Sequence, residues 1–186
     1  YLQLRAILEY TSDLFFKAVL YKNTMDTITL APIKNISGEV ALPGSKSLSN
    51  RALLLSSLAS GQTKLTNLLR SDDTQRMLTA LRQLGVGIEL NDDWTESTIT
   101  GNGGLFAEPD EHSFFLGNAG TAIRPLTCIL ALLPGEYRID GDQYMRERPI
   151  EHLGDALVQL GATVQYEEKH GYPPLLVNGG DIKGGS

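Results

Sequence analysis

One pattern occurs twice in this chain. At a shift of 73, "GSKSLSNR" (44–51) lies over "GNAGTAIR" (117–124), pairing Gly44 with Gly117 and Arg51 with Arg124. Beyond that point a shift of 76 fits better: "ALRQLGV" (80–86) falls on "ALVQLGA" (156–162), and "NGG" at 102–104 on "NGG" at 178–180. Met77, Leu81 and Leu84 then match Leu153, Leu157 and Leu160, a spacing that forms one buried helix stripe. A period of about 75 residues is far longer than a solenoid turn, so each copy is a subdomain.

Both copies decode alike. A short strand ("GEVALP"; "SFFLG") leads through a Gly-containing loop into an apolar helix, over 47–59 and over 121–133. A strand follows ("TKLTNL"; "YRID"), then a second helix, marked in one copy by "SDD", where Asp72 or Asp73 can cap, and in the other by Arg148 and Pro149, with Pro149 suited to the first turn. Gly85 and Gly161 stand where those helices must stop, and two strands close each copy. The expectation is an α+β fold of two β-α-β-α-β-β subdomains. The first covers 36–104 and the second 105–180, with 181–186 reading as a truncated connection.

The first 24 residues differ from the rest. Leu4, Leu8, Phe15 and Val19 fall at roughly helical spacing, interrupted by Arg5, Glu9, Asp13 and Lys17, too charged for a membrane span and without the order of a signal peptide. This segment reads as an upstream or extraneous leader ahead of Met25, and 25–35 as a separate strand.

The net charge of −6 argues against nucleic acid or an anionic membrane as partner, so an anionic ligand has to meet a local cluster of cations. A nucleotide loop is excluded at "LPGSKS", because Ser45 precedes Lys46 and Val40 stands at the earlier glycine position. Anion binding survives that loss: Ser47 begins a helix, whose free amides favour negative charge, and Lys46 and Arg51 add two cations. The matching loop offers Gly117, Asn118, Gly120, Thr121 and Arg124, and "MRERP" sets Arg146 and Arg148 at another helix entrance. Taken singly, each stretch is equally explained by a cap, a Thr-capped tight turn, or a solvated arginine pair. Together they place Lys46, Arg51, Arg124 and Arg148 at helix starts on one edge of related subdomains, and the arginine fork suits carboxylate or phosphate. Cys128, inside "LTCILALL", reads as a structural thiol, and His112, His152 and His170 lack metal-ligand spacing.

Three separated stretches, "LPGSKSLSNRALLLSSLASGQTKLTNLLRSDDTQRML", "FLGNAGTAIRPL" and "RERPIEHLGDAL", resemble the N-terminal part of the bacterial 5-enolpyruvylshikimate-3-phosphate synthases. The resemblance runs from about Met25 to Gly180. It implies an enolpyruvyl transferase-like inside-out barrel domain, cut before its third subdomain, with 25–35 as the first strand of the other domain. It implies transfer of the enolpyruvyl group of phosphoenolpyruvate to the 5-hydroxyl of shikimate 3-phosphate, with release of phosphate and with no metal or cofactor. Carried onto matching positions, it puts Lys46 against both substrates, as the catalytic cation. Ser47 and Arg51 fall on shikimate 3-phosphate, and Asn118, Gly120, Thr121, Arg124 and Arg148 on phosphoenolpyruvate. It further implies a cytoplasmic enzyme of aromatic amino acid biosynthesis, monomeric at full length. The chain alone, without a third subdomain and an opposite domain, is expected to be inactive. A noncatalytic anion-binding or interaction module is the competing reading, and an RNA-processing relative is disfavoured by charge.

Overall fold

The computed structural model of the chain describes residues 5–8, 32, 34–180 and 182–183. The chain divides into two bodies, one ending at Leu42 and the other beginning at Pro43. The first contains strand β1 (Arg5–Leu8) paired antiparallel with β2 (Ile36–Glu39). Helical spacing read over the first 24 residues is therefore not kept at Arg5–Leu8, where an extended partner supplies ladder hydrogen bonds that a charged, interrupted apolar stripe does not replace. The rest of that leader, and most of the strand expected over 25–35, lie outside the described residues.

The second body holds both copies. In the first, helix α1 (Lys46–Leu58) is followed by β3 (Ser60–Thr66), α2 (Asp72–Gln83), β4 (Gly87–Leu90) and β5 (Glu96–Asn102). In the second, β6 (Ser113–Phe115) leads through α3 (Gly120–Leu132), β7 (Gly135–Asp140), the single turn α4 (Gln143–Arg146) and α5 (Glu151–Gln159) to β8 (Thr163–Tyr166) and β9 (Leu175–Gly179). The sheets are ordered β3-β5-β4 and β6-β7-β9-β8, so the last strand of each copy lies between the other two that follow the first helix. Only the second copy shows the leading strand in its sheet, β6 running parallel to β7. The strand expected over 38–43 falls instead at Ile36–Glu39 and pairs with β1. Pro43 lacks the N–H that a ladder requires.

The stop signals read from the repeat hold in detail. Gly85 (φ 77°) and Gly161 (φ 109°) follow the C-terminal residues Leu84 and Leu160 in the left-handed conformation. Their amides donate to the carbonyls of Arg82 and Val158, and those of Val86 and Ala162 to Leu81 and Leu157, completing the same two-bond motif in each copy. The last strands also meet the first helices in one way: a Cβ at Gly101 or Gly179 would run into the carbonyl of Ala59 or Ala131. The following amides of Gly103 and Gly180 close those helix ends at 2.9 and 3.2 Å.

A continuous core joins the copies, with Leu53, Met77, Leu81, Leu84 and Ile99 on one side and Phe114, Ile123, Leu126, Leu130, Tyr137 and Val177 on the other, all 2% exposed or less. Helix α1 is unusual in burying Ser49, Asn50, Ser56 and Ser57 while exposing Leu48 and Leu55. The helices α1, α2 and α3 pack together, which brings their N-terminal ends into one neighbourhood.

Candidate active site

Each helix start differs from the expected detail by about one residue. Helix α1 begins at Lys46, one residue ahead of Ser47, and Ser45 is its cap, accepting from the Leu48 amide at 3.4 Å. Neither Asp72 nor Asp73 caps α2; Ser71 does, in a reciprocal box with Thr74. A shorter hydroxyl side chain reaches back to the third amide from the extended cap position, and the two aspartates occupy the first turn, where the dipole favours their charge. Pro149 is not in the first turn of α5, because the chain turns helical only after Ile150.

This shift frees Asp73 for a different contact. Its Oδ2 lies 3.2 Å from Lys46 Nζ, and the Thr121 hydroxyl donates toward it at 3.5 Å. Thr121 Oγ1 in turn accepts from Asn50 Nδ2 at 2.8 Å. Three helices and both copies are thus joined by one polar chain. Thr121 does not cap α3, whose cap position Ala119 offers no side-chain bond; the turn before it is tight, the Ala119 amide donating to the Leu116 carbonyl at 3.0 Å. Beside Thr121, Gly120 leaves room for the Arg148 guanidinium: a Cβ there would lie 2.8 Å from Nη1. Arg124 Nη2 donates to the carbonyl of Pro149 at 2.9 Å, tying α3 to the turn that carries Arg148. Asn118 stands in the same loop with its Oδ1 buried and unpartnered.

Ser47 and Arg51 are on the exposed side of α1, with Arg51 folded back to the Ser47 carbonyl at 3.2 Å and to its hydroxyl at 3.4 Å. No described carboxylate lies within 4.0 Å of the cationic groups of Arg51, Arg124 or Arg148. The structure thus sets Lys46 and Thr121 on Asp73, Arg148 against Gly120 and Arg124 on the Pro149 carbonyl, with Asn118 in the same loop and Ser47 and Arg51 along α1. A hollow of about 540 Å³ lies elsewhere, beside Gly154, Tyr166 and His170. Its lining brings no basic side chain other than a histidine to meet an anion.

Arg146, two residues from Arg148, has a different occupation. It grips Asp140 with two hydrogen bonds, Nε to Oδ1 at 3.0 Å and Nη2 to Oδ2 at 2.7 Å, while Arg138 Nη1 and the Gly141 amide add 3.1 and 2.7 Å contacts. Burial alone would raise the Asp140 carboxyl; the hydrogen bonds from Arg146, Gly141 and Arg138, with the Arg146 charge, hold it below its ordinary value. Asp140 correspondingly pushes Arg146 up. Cys128 is half-buried in α3, and burial raises its thiol, as suits a structural residue. His112 stacks on Tyr137 at 5.2 Å, and His170 faces Glu151 at 3.3 Å.

Asn50 and Asp140 are absent from the residues picked out by sequence, and Asp73 is picked out there only as a candidate helix cap. The Ser-x-x-Thr box at 71–74 is the signal that assigns the cap to Ser71 and so releases Asp73. Nothing in the pattern marks Asn50 or Asp140.

A family model described as EPSP synthase (3-phosphoshikimate 1-carboxyvinyltransferase) matches residues 30–186. The chain belongs to the EPSP synthase family. It is 56% identical over 161 residues to the 3-phosphoshikimate 1-carboxyvinyltransferase of Sulfurovum sp. (strain NBC37-1), and 54% over 164 residues to that of Actinobacillus pleuropneumoniae serotype 3 (strain JL03). Both alignments cover 87% of this chain and 38% of the relative, so the chain spans well under half the length of the curated relatives it matches. The EPSP synthase structure from Acinetobacter baumannii superposes with a TM-score of 0.73 at 33% identity, over 79% of this chain and 33% of that one. The repeated α+β architecture read from the sequence is that of this family.

Proposed function

We propose that this chain supplies the paired anion-binding helix starts of an enzyme that transfers the enolpyruvyl group of phosphoenolpyruvate to the 5-hydroxyl of shikimate 3-phosphate, releasing phosphate. The observation that carries this reading is the run of contacts from Lys46 through Asp73 to Thr121 and Gly120, with Arg148 against Gly120. In this reading Lys46 touches both substrates. Ser47 and Arg51 hold shikimate 3-phosphate. Gly120 and Arg148 face phosphoenolpyruvate, and Asn118, Thr121 and Arg124 shape its place. Both substrates are anions that repel, so the work of these residues is to hold them in contact and to stabilise charge as the tetrahedral adduct forms. No metal or organic cofactor enters the scheme, and the full-length enzyme acts as a cytoplasmic monomer.

The residues proposed here cover one side of the reaction only, and completing the site falls to sequence beyond the matched 38% of the relatives. The 186-residue chain alone is expected to release no phosphate from the two substrates, whereas the chain completed with the remaining sequence of the Sulfurovum relative turns over. A completed chain that binds shikimate 3-phosphate without turnover would replace the transferase reading with that of a binding module.

A further inference from the structure

Arg146 and Arg148 are two residues apart, yet one is sequestered and the other stands at the site. Arg146 ends the single turn α4, and Arg148 lies just past its C-terminal residue Glu147. Its start is fixed by Asp142, whose carboxylate caps the Met145 amide at 2.9 Å and whose own amide donates to the Gly117 carbonyl at 3.1 Å. Its end runs into Arg148, whose amide donates to Met145 at 3.0 Å, and on to Ile150, whose amide donates to Gly171 at 2.7 Å. Between these points the turn is held by a side chain: Arg146 reaches Asp140 twice and Glu168 Oε1 at 2.7 Å, and Arg138 links Asp140 to Glu167 at 2.8 Å. Asp140 is 4% exposed, and both its oxygens are satisfied by donors aimed from β7 and α4.

Resting on the functional reading above, we infer that Asp140 and Arg146 are positioning residues that set the reach of Arg148 over Gly120, and so act on phosphoenolpyruvate and not on shikimate 3-phosphate. Among the described residues no carboxylate pairs with Arg148, so its place depends on the turn that delivers it. A buried carboxylate gripped by a planar fork at two points fixes orientation as well as distance, which a single ammonium cannot do.

The test uses the completed chain with Asp140→Asn, Arg146→Met and Arg146→Lys. The first two raise KM for phosphoenolpyruvate about 10-fold or more, as expected when a contacting group is displaced by about 1 Å, and leave KM for shikimate 3-phosphate within about 2-fold. Arg146→Lys recovers part of the loss. Equal rises in both KM values, or no rise in either, would overturn the inference. Amide exchange on the 186-residue chain supplies an activity-independent readout: Asp140→Asn speeds exchange specifically over residues 143–150, and unchanged exchange there contradicts the claim. If the unsubstituted completed chain fails to turn over, the transferase reading falls while amide exchange still decides whether Asp140 holds this turn.

Discussion

In the first copy both helices begin on a serine that closes a terminal amide, Ser45 before α1 and Ser71 before α2. In the second, the equivalent long helices α3 and α5 begin on Ala119 and Ile150 with no side-chain cap. The cations differ in the same sense: Lys46 sits on the Asp73 carboxylate, whereas Arg124 leans on a backbone carbonyl and Arg148 faces a glycine. A missing cap forgoes about 1 kcal/mol per helix, so the second copy keeps open amides and unneutralised charge at a cost in stability. The first copy contributes an ion pair that anchors, along with the exposed Arg51; the second contributes Arg124 and Arg148, neither on a described carboxylate. A repeat whose two halves shared only ancestry would have no reason to divide these tasks across one polar chain of contacts.

The largest effects should come where the copies are alike. Leu53 and Leu126 occupy matching positions at the shift of 73, and both are fully buried. Leu53→Ala and Leu126→Ala are each expected to cost about 2–5 kcal/mol in denaturant unfolding, within one cooperative transition, because their cavities open in the same core. Two separate transitions would break the picture of a joined core.

Gly120→Ala sharpens the functional side of the contrast. The new methyl meets the flexible end of Arg148, so stability should change little, while the guanidinium is pushed from its place. In the completed chain, KM for phosphoenolpyruvate and the inhibition constant of its mimic glyphosate should each rise about 10-fold, the effect of losing roughly 1.4 kcal/mol of contact. Unchanged inhibition would separate Gly120 from that substrate.

Gly85→Ala and Gly161→Ala test whether the helix stops are equivalent. Each residue is left-handed, so each substitution should cost about 1–2 kcal/mol, and at Gly85 a Cβ would also lie 2.9 Å from that of Ala107. A loss at one glycine only would contradict the shared motif.

The smallest effect is a pH dependence confined to the second copy. The Asp140 carboxyl titrates lower in the folded chain than its ordinary value of about 3.9, so the stability it contributes is present above that pH and is lost as pH falls through the folded value. Asp140→Asn should therefore be less stable than the parent at pH 6 and should flatten the acid limb below about pH 4, seen by thermal melting across pH. A parallel acid limb in the variant would remove Asp140 as its source.

The long helices and their stops were legible because they rest on local chemistry repeated twice: the spans expected at 47–59 and 121–133 are found at Lys46–Leu58 and Gly120–Leu132. Pattern alone puts Lys46, Arg51, Arg124 and Arg148 at helix starts on one edge; the contacts found join Lys46 to Thr121 through Asp73 and set Arg148 against Gly120. What escaped depends on which of two neighbours faces inward. Asp72 and Asp73 are indistinguishable in composition, and the helix phase set by Ser71 turns Asp73 toward Lys46. Arg146 and Arg148 look like one solvated pair until α4 sends one to Asp140 and the other to Gly120. The leading strand of the first copy was misplaced because alternation does not say which partner a strand will choose.

The account stands on one claim, that the helix starts of both copies serve one site for a pair of anions. Titration of the isotope-labelled chain with shikimate 3-phosphate plus phosphoenolpyruvate, followed by amide NMR, tests it directly. The amides of Lys46–Arg51, Gly117–Arg124 and Arg148 should shift together. Their shifts should fit one pair of binding constants. Shifts confined to a single copy, or unrelated constants for the two copies, would contradict it.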